Sequence, residues 1–130
     1  MTLRFHHIGI AVFSIEQTKP FYENLGYKAT PAIYDPVQNV NICFLEKSGE
    51  VLLELIEPHD ETSPVNDILK KNGVAPYHNC YEVDDLEAAI AELRKQRFVV
   101  VRKPEKAIAM GERRVCFLYN KNVGLIELVN

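Results

Sequence analysis

Residues 3–12 alternate between apolar and polar or small side chains. Ile8, Ile10 and Val12 fall on one side of this segment, and His7 falls on the other. Alternation with a period of two is typical of a β-strand with one buried face. The segment is therefore predicted to be a strand that carries a histidine on the face opposite its isoleucines.

A helix is predicted directly after this strand. Ser14-Ile-Glu-Gln17 has the form of a capping box, in which serine accepts a hydrogen bond from the backbone three residues later. Asn24-Leu-Gly26 predicts the end of the helix, because glycine readily adopts the left-handed conformation. Pro20 lies inside the segment, so the helix is expected either to kink or to begin later.

The remaining periodicities repeat this order of elements. Three strands are predicted near residues 27–34, 40–46 and 51–57, which gives the first half the order βαβββ. In the second half, Asp84 or Asp85 is expected to begin a helix with one apolar stripe formed by Leu86, Ala89, Ile90 and Leu93. Strands near 77–83, 98–102, 114–119 and 125–129 give this half the same order.

The two halves also resemble each other residue by residue. An offset of 71 residues places His7 on His78, and an offset of 73 places Glu54 on Glu127, without a gap in either alignment. The second offset also places Cys43-Phe44-Leu45 on Cys116-Phe117-Leu118. Each half therefore begins with a strand that carries a histidine and ends with a strand that carries a glutamate, which predicts an internal repeat.

These observations predict an α+β fold in which two paired βαβββ modules form a curved, cup-shaped mixed sheet with helices on the outside. Residues 1–130 are expected to form a single domain, with module one at about 3–58 and module two at about 75–130. A short helix at about 63–73 is predicted to connect them. Ser63 would be its N-cap, Pro64 its first residue, and Gly73 would follow its end.

The composition argues against several classes of partner and location. The formal net charge of the 130 residues is -3, and lysines and arginines are scattered, which argues against nucleic acid or an anionic membrane as a partner. No apolar run approaches the length of a membrane span, and the first residues do not have the pattern of a signal peptide. Three cysteines without a CxxC pair are typical of reduced thiols, so the cytoplasm is predicted.

The equivalent histidines and glutamates predict a metal site. In a cup formed by two symmetry-related modules, His7, Glu54, His78 and Glu127 would converge on one point. Two imidazole nitrogens and two carboxylate oxygens suit a divalent ion of borderline softness, such as Zn, Ni, Co, Mn or Fe. A lone histidine or glutamate in a strand is more often a packed or a solvated residue, so the hypothesis depends on the repeat.

Other reactive residues have simpler interpretations. Cys43 and Cys116 lie in apolar strands and are expected in the core. Cys80 shares the face of His78, but packing is again the expected role. His59 is predicted to be solvated in a loop, and Glu57 to face away from Glu54.

Five segments resemble members of the vicinal-oxygen-chelate, or glyoxalase-like, superfamily, and in particular methylmalonyl-CoA epimerases and short bacterial glyoxalase I enzymes. They are His7-Ile-Gly-Ile-Ala-Val12, Phe21-Tyr-Glu-Asn-Leu-Gly26, Glu54-Leu-Ile-Glu-Pro58, Ser63-Pro64 and Glu82-Val-Asp-Asp85. The resemblance implies a bound divalent metal with the four ligands named above, although some epimerases have glutamine at the position of Glu54.

The resemblance further implies that a substrate carbonyl binds the metal, which stabilises an enolate or enediolate. Glu127, Glu54 or both would then move the neighbouring proton.

Two features of the resemblance differ from the epimerase pattern. The carboxylate that acts as a base in some epimerases would fall near Asn41, and their His-Pro-Lys segment corresponds to Tyr119-Asn120-Lys121. An epimerase-like isomerase is favoured, and a glyoxalase I-like lyase is the alternative. An extradiol-type dioxygenase and a non-catalytic drug-binding protein are the further alternatives.

The expected partner is a small molecule, either a CoA thioester or a glutathione adduct, and the protein is expected to form a homodimer. For CoA phosphates, a loop over residues 103–112 is predicted to border the substrate opening. This loop is flanked by basic residues that either bind the phosphates or form a solvated rim: Lys103, Lys106, Arg113 and Arg114.

Overall fold

Strands and helices follow one another in the predicted order along the chain. The computed structural model describes residues 1–130 and contains β1 (Arg4–Ala11), α1 (Ile15–Asn24), β2 (Lys28–Ala29), β3 (Ile33–Asp35), β4 (Val40–Glu46), β5 (Leu53–Pro58), α2 (Val65–Asn72), β6 (Ala75–Glu82), α3 (Leu86–Lys95), β7 (Val99–Ala107), β8 (Arg113–Asn120) and β9 (Gly124–Val129). The chain divides into two units, one formed by Met1–His6 with His78–Asn130 and the other by His7–Tyr77. None of the helices has both the length and the apolar run that a membrane crossing would require.

In the unit His7–Tyr77, four strands lie in the order β2-β4-β5-β1. β1 runs parallel to β5, whereas β4 is antiparallel to β5, to β2 and to β3. Helix α1 packs on one face of this sheet. The buried residues there are Ile10, Val12, Ile15, Cys43, Leu45 and Leu55.

Helix α1 begins where the capping pattern predicts. Ser14 Oγ accepts a hydrogen bond from the Gln17 N–H at 3.1 Å, and the helix continues through Pro20 to Asn24. The expectation that α1 would begin later is therefore wrong. Proline removes one intrahelical hydrogen bond, and the helix continues beyond it because its apolar residues pack on the sheet.

The other unit has the order β6-β9-β8-β7, with β6 parallel to β9 and the remaining pairs antiparallel. Asp85, rather than Asp84, begins α3, because its side chain accepts a hydrogen bond from the Ala88 N–H at 3.0 Å. The predicted stripe of α3 is buried against this sheet. The buried cluster comprises Val83, Leu86, Ala89, Ile90, Leu93, Cys116, Leu118, Ile126 and Leu128.

Three predicted boundaries are wrong. The strand expected at 27–34 consists of the two short strands β2 and β3. The loop expected at 103–112 is mostly strand, because β7 continues along β8 to Ala107 before a 3₁₀ turn at Ile108–Met110. Its register shifts between Val100 and Arg102 and again between Arg102 and Glu105, and the second shift contains Pro104, which cannot donate a hydrogen bond to the ladder.

The third wrong boundary is that of the connecting helix. α2 begins at Val65, two residues after Ser63, and the contact between Ser63 Oγ and the Val65 N–H is long, at 3.4 Å. Gly73 does follow the helix end, with φ at +69° and its N–H bonded to the Leu69 carbonyl oxygen. That positive φ favours glycine at this position.

Candidate metal centre

Strand alternation fixes which side chains share the face opposite α1. Leu53 and Leu55 of β5 pack in the cluster under α1, so Glu54 between them projects from the other face. The same holds for His7, because its neighbours Ile8 and Ile10 contact that cluster. We call the faces opposite α1 and opposite α3 the site faces of the two units.

His7 and Glu54 form a buried pair on the site face of their unit. His7 Nε2 lies 3.1 Å from Glu54 Oε1, and the two residues are 0% and 3% exposed. The contact spans two parallel neighbouring strands, in which Glu54 is the register partner of Gly9. A polar pair withdrawn from water to this degree requires electrostatic compensation for its desolvation.

An aromatic ring lies against this pair. Phe44 is the register partner of Glu54 on the antiparallel neighbour β4, so the two side chains share the site face. The rings of His7 and Phe44 meet edge to face, with centroids 5.6 Å apart and planes at 80°. Phe44 therefore adjoins both members of the pair.

The second unit contains the equivalent arrangement. His78 Nε2 lies 3.3 Å from Glu127 Oε1, and both residues are buried. Phe117 is the register partner of Glu127, and its ring meets that of His78 at 5.3 Å with planes at 89°. The strand register is equivalent as well. Glu127 is opposite Cys80, just as Glu54 is opposite Gly9, and the offset of 71 residues places Gly9 on Cys80. The internal repeat therefore holds at the level of individual contacts within each unit.

The separations within the pairs fit metal ligands. Two atoms that each lie about 2.1 Å from one ion, at a right angle, are about 3.0 Å apart. The distances of 3.1 and 3.3 Å agree with this value. Each pair supplies one nitrogen and one oxygen donor in a dry setting, so each could provide two ligands to a divalent cation.

The site face of β4 carries no buried carboxylate, because Glu46, at the end of the strand, has that orientation but is exposed. Ile42 and Phe44 project there, whereas Asn41 lies on the opposite face, where its Nδ2 donates to Glu57 Oε2 at 2.7 Å. Strand alternation thus turns Asn41, the residue near which the base of some epimerases would fall, away from the site face. Glu57 faces away from Glu54 as predicted, and its Oε1 accepts the Ile15 N–H at 2.9 Å.

His59 is exposed, as expected, but it is not merely solvated. Its ring stacks on that of Tyr34, with centroids 4.0 Å apart, and its Nδ1 lies 3.0 Å from Asn41 Oδ1. It therefore extends the polar contacts of Asn41 and Glu57 at the start of α1.

All three cysteines are free and buried, as predicted for core residues. Cys43 Sγ lies 3.2 Å from the Thr30 carbonyl oxygen, and Cys116 Sγ lies at the same distance from that of Arg102. Burial raises the pKa of both thiols, that of Cys116 to about 11. Neither thiol is therefore prepared to act as a nucleophile.

The predicted group of basic residues is divided between two faces. Arg114 lies on the α3 side, where its Nη2 contacts Glu87 Oε1 at 2.6 Å, and Lys106 is its register partner. Arg113 projects from the site face and binds Glu82 and the Asn130 carbonyl oxygen. The expectation of one basic rim is wrong, because consecutive strand residues alternate in direction.

Comparison with known proteins identifies relatives over nearly the whole chain. Residues 6–117 match the model of the Glyoxalase/Bleomycin resistance protein/Dioxygenase superfamily. The mitochondrial methylmalonyl-CoA epimerase of Homo sapiens is 34% identical over 96% of this chain and 72% of its own. The ethylmalonyl-CoA/methylmalonyl-CoA epimerase of Cereibacter sphaeroides is 32% identical over 96% of both chains.

A solved structure gives the same result for the fold. A variant of Streptomyces coelicolor methylmalonyl-CoA epimerase in complex with 2-nitronate-propionyl-CoA matches with a TM-score of 0.84 and 30% identity, over 98% of this chain and 97% of that one. The predicted α+β fold class and the predicted resemblance are confirmed by these matches.

Proposed function

Because the chain belongs to the Glyoxalase/Bleomycin resistance protein/Dioxygenase superfamily, we propose that it is a divalent-metal-dependent epimerase of a CoA thioester, with methylmalonyl-CoA as substrate. The similarity to epimerases over 96% of the chain carries this proposal. The buried histidine–glutamate pairs support it, since they supply the donors that such chemistry needs. The relatives do not favour the glyoxalase I-like alternative.

The metal ligands in this proposal are His7, Glu54, His78 and Glu127. Their support is the equivalence of the two pairs, each of which has the spacing of two ligands on one ion. When bound, the metal supplies Lewis acidity that polarises the substrate carbonyl and makes the neighbouring carbon acidic. Zn, Ni, Co, Mn and Fe all suit this set of nitrogen and oxygen donors.

Proton transfer is assigned to the two glutamates. Epimerisation requires that a proton leave one face of the carbon next to the carbonyl and that another return to the opposite face. In this proposal Glu54 enters the reaction protonated and Glu127 ionised. Glu127 accepts the proton that leaves the carbon, Glu54 donates its own proton to the opposite face, and exchange with solvent restores both groups; the two roles are reversed for the other epimer. Ile42 and Phe44 place apolar side chains on the site face of β4, and Glu54 is the carboxylate of that half that is paired with a histidine.

We further propose a single-domain, dimeric protein. The chain is one glyoxalase-like domain over residues 1–130, with modules at about 3–58 and 75–130 joined by α2 (Val65–Asn72). It acts as a homodimer in the cytoplasm. Sedimentation of the purified protein tests the oligomeric state.

The deciding experiment follows the proton directly. The purified protein is assayed for metal content and then incubated with one epimer of methylmalonyl-CoA in D2O. We expect about one equivalent of divalent metal, loss of stereochemical purity, deuterium at the epimerised carbon, and inactivation by EDTA. The methylglyoxal–glutathione hemithioacetal is the matched control substrate. Turnover of that substrate without deuterium exchange into methylmalonyl-CoA would reject the epimerase in favour of the lyase.

A further inference from the structure

We infer that Phe44 and Phe117 are positioning residues that hold the imidazoles of His7 and His78 in their metal-binding orientation. The inference rests on the proposed function, because it concerns the same metal centre. It assigns a role to two aromatic side chains that neither bind the metal nor move a proton.

The rings of Phe44 and Phe117 meet those of the two histidines in the same geometry. Each phenylalanine ring meets its histidine nearly perpendicularly, at 80° and 89°, with centroids 5.6 and 5.3 Å apart. Edge-to-face contact is the favoured geometry of an aromatic pair because of its quadrupoles. A ring held in this way opposes rotation of the imidazole about its Cβ–Cγ bond, and that rotation would carry Nε2 away from the glutamate oxygen.

The register of the strands also places each phenylalanine beside the glutamate of its pair. Phe44 is opposite Glu54, and Phe117 is opposite Glu127, so each phenylalanine adjoins the carboxylate as well as the imidazole of its pair. Cross-strand neighbours on one face are close enough for their side chains to touch. Each ring therefore restricts both ligands on one side and contributes an apolar wall there.

Phe44 and Phe117 also lie apart from the residues that pack under the helices. Both project from the site faces, whereas the helices pack on the opposite faces through clusters that include Cys43 and Leu45 in one unit and Cys116 and Leu118 in the other. Phe98, in contrast, packs against the cluster under α3. Phe98 is thus a matched phenylalanine that supports the fold without adjoining a histidine–glutamate pair.

The test measures metal affinity rather than turnover. Phe44→Leu, Phe117→Leu and the control Phe98→Leu are prepared metal-free, and Co²⁺ is titrated into each while its visible absorption is recorded. We expect each site-face variant to bind Co²⁺ about tenfold more weakly, as for other residues that orient metal ligands. Their cobalt spectra should shift, because the spectrum reports coordination geometry. Phe98→Leu should keep the wild-type affinity and spectrum.

Thermal unfolding of the metal-free proteins separates positioning from packing. All three melting temperatures should fall, that of Phe117→Leu the most because Phe117 is 7% exposed whereas Phe98 is only partly buried, but only the two site-face variants should also lose Co²⁺ affinity. Unchanged Co²⁺ affinity and spectra in both site-face variants would overturn the inference while leaving the metal centre intact. A wild-type protein that binds no Co²⁺, Zn²⁺ or Ni²⁺ would instead reject the metal centre itself, and the inference with it.

Discussion

The carboxylates of the two histidine–glutamate pairs differ from amides in one property that matters for the proposed reaction. Both groups can offer an oxygen to a metal, but only the carboxylate can accept a proton. Since each glutamate adjoins an imidazole nitrogen at 3.1 or 3.3 Å, replacement by glutamine preserves the shape of the pair. This substitution therefore separates metal binding from proton transfer.

Glu127→Gln is expected to reduce kcat by about a hundredfold or more, since general-base catalysis typically contributes that much. Metal content should change far less, whereas His7→Ala should reduce both metal content and activity. Metal analysis and kcat for methylmalonyl-CoA are the measurements. An active Glu127→Gln enzyme would assign the base to Glu54 or to another group.

The cysteines provide a residue-scale test of burial. We expect no thiol of the native protein to react with DTNB at pH 8 within minutes, and three thiols to react in guanidinium chloride. The thiol is unreactive when neutral, and burial raises the pKa of Cys116 to about 11. Absorbance at the wavelength of the released thiolate gives the count. Rapid modification of one native thiol would show that its strand opens.

At the scale of elements, both sheet-packed helices begin with a short polar side chain that follows a strand. Ser14 and Asp85 each accept one N–H of the first turn, at 3.1 and 3.0 Å. We expect Ser14→Ala and Asp85→Ala each to lower the free energy of unfolding by about 1 kcal/mol. Urea denaturation of the metal-free protein measures this. Thr2→Ala, outside any helix or strand, is the control, and equal effects in all three variants would contradict the assignment of the caps.

Strand alternation and the internal repeat predict the strands, the helices and the two histidine–glutamate pairs, because both patterns arise from strands that bury one face. A strand with one buried face must place alternate residues on it, so the directions of Glu54, Glu57 and Cys43 follow from the sequence. β7 was not predicted in full because Lys103–Lys106 has no apolar alternation, and only its pairing with β8 keeps it extended. The contacts of Phe44 and Phe117 with the histidines cannot be predicted from the sequence, because spacing along a strand does not determine how two rings are oriented.

At the scale of the whole molecule, acid stability depends on carboxylates that bind arginines. Hydrogen bonding to Arg113 lowers the pKa of Glu82 below its ordinary value of 4.5. A carboxyl group whose pKa is lowered by folding stabilises the folded state when the pH is above the ordinary pKa of the unfolded chain. This stabilisation is lost as the pH falls through the lowered pKa of the folded state. Glu82→Gln should therefore lower the melting temperature at pH 7 and leave it unchanged near pH 2. If the melting temperature of Glu82→Gln remained below that of the wild-type protein near pH 2, Glu82 would instead stabilise the fold through packing.

Binding of a large anionic substrate would also depend on the whole molecule. Arg113 and Arg114 are neighbours in the chain that lie on opposite faces of β8, so replacing each in turn tests which face the substrate contacts. Arg113 lies on the site face of its unit, and its side chain is 36% exposed although it binds Glu82. Its guanidinium has five donors, so it can bind a substrate carboxylate or phosphate while keeping that contact. Arg114 is 42% exposed but points to α3, where Glu87 binds it.

We therefore expect Arg113→Ala to raise the KM for methylmalonyl-CoA about tenfold, the change that follows from the loss of one charge-assisted hydrogen bond of roughly 1.5 kcal/mol. Metal content and kcat should change little, because the substitution removes neither a metal ligand nor a proton carrier. Arg114→Ala should leave KM unchanged, since strand alternation turns its side chain to the other face. Steady-state kinetics on both variants give the result, and the ionic strength is kept constant because each variant loses the same charge. Equal increases in KM for the two variants would indicate general attraction by the protein's charge, whereas an increase confined to Arg113→Ala would locate the anion beside the site face of β8.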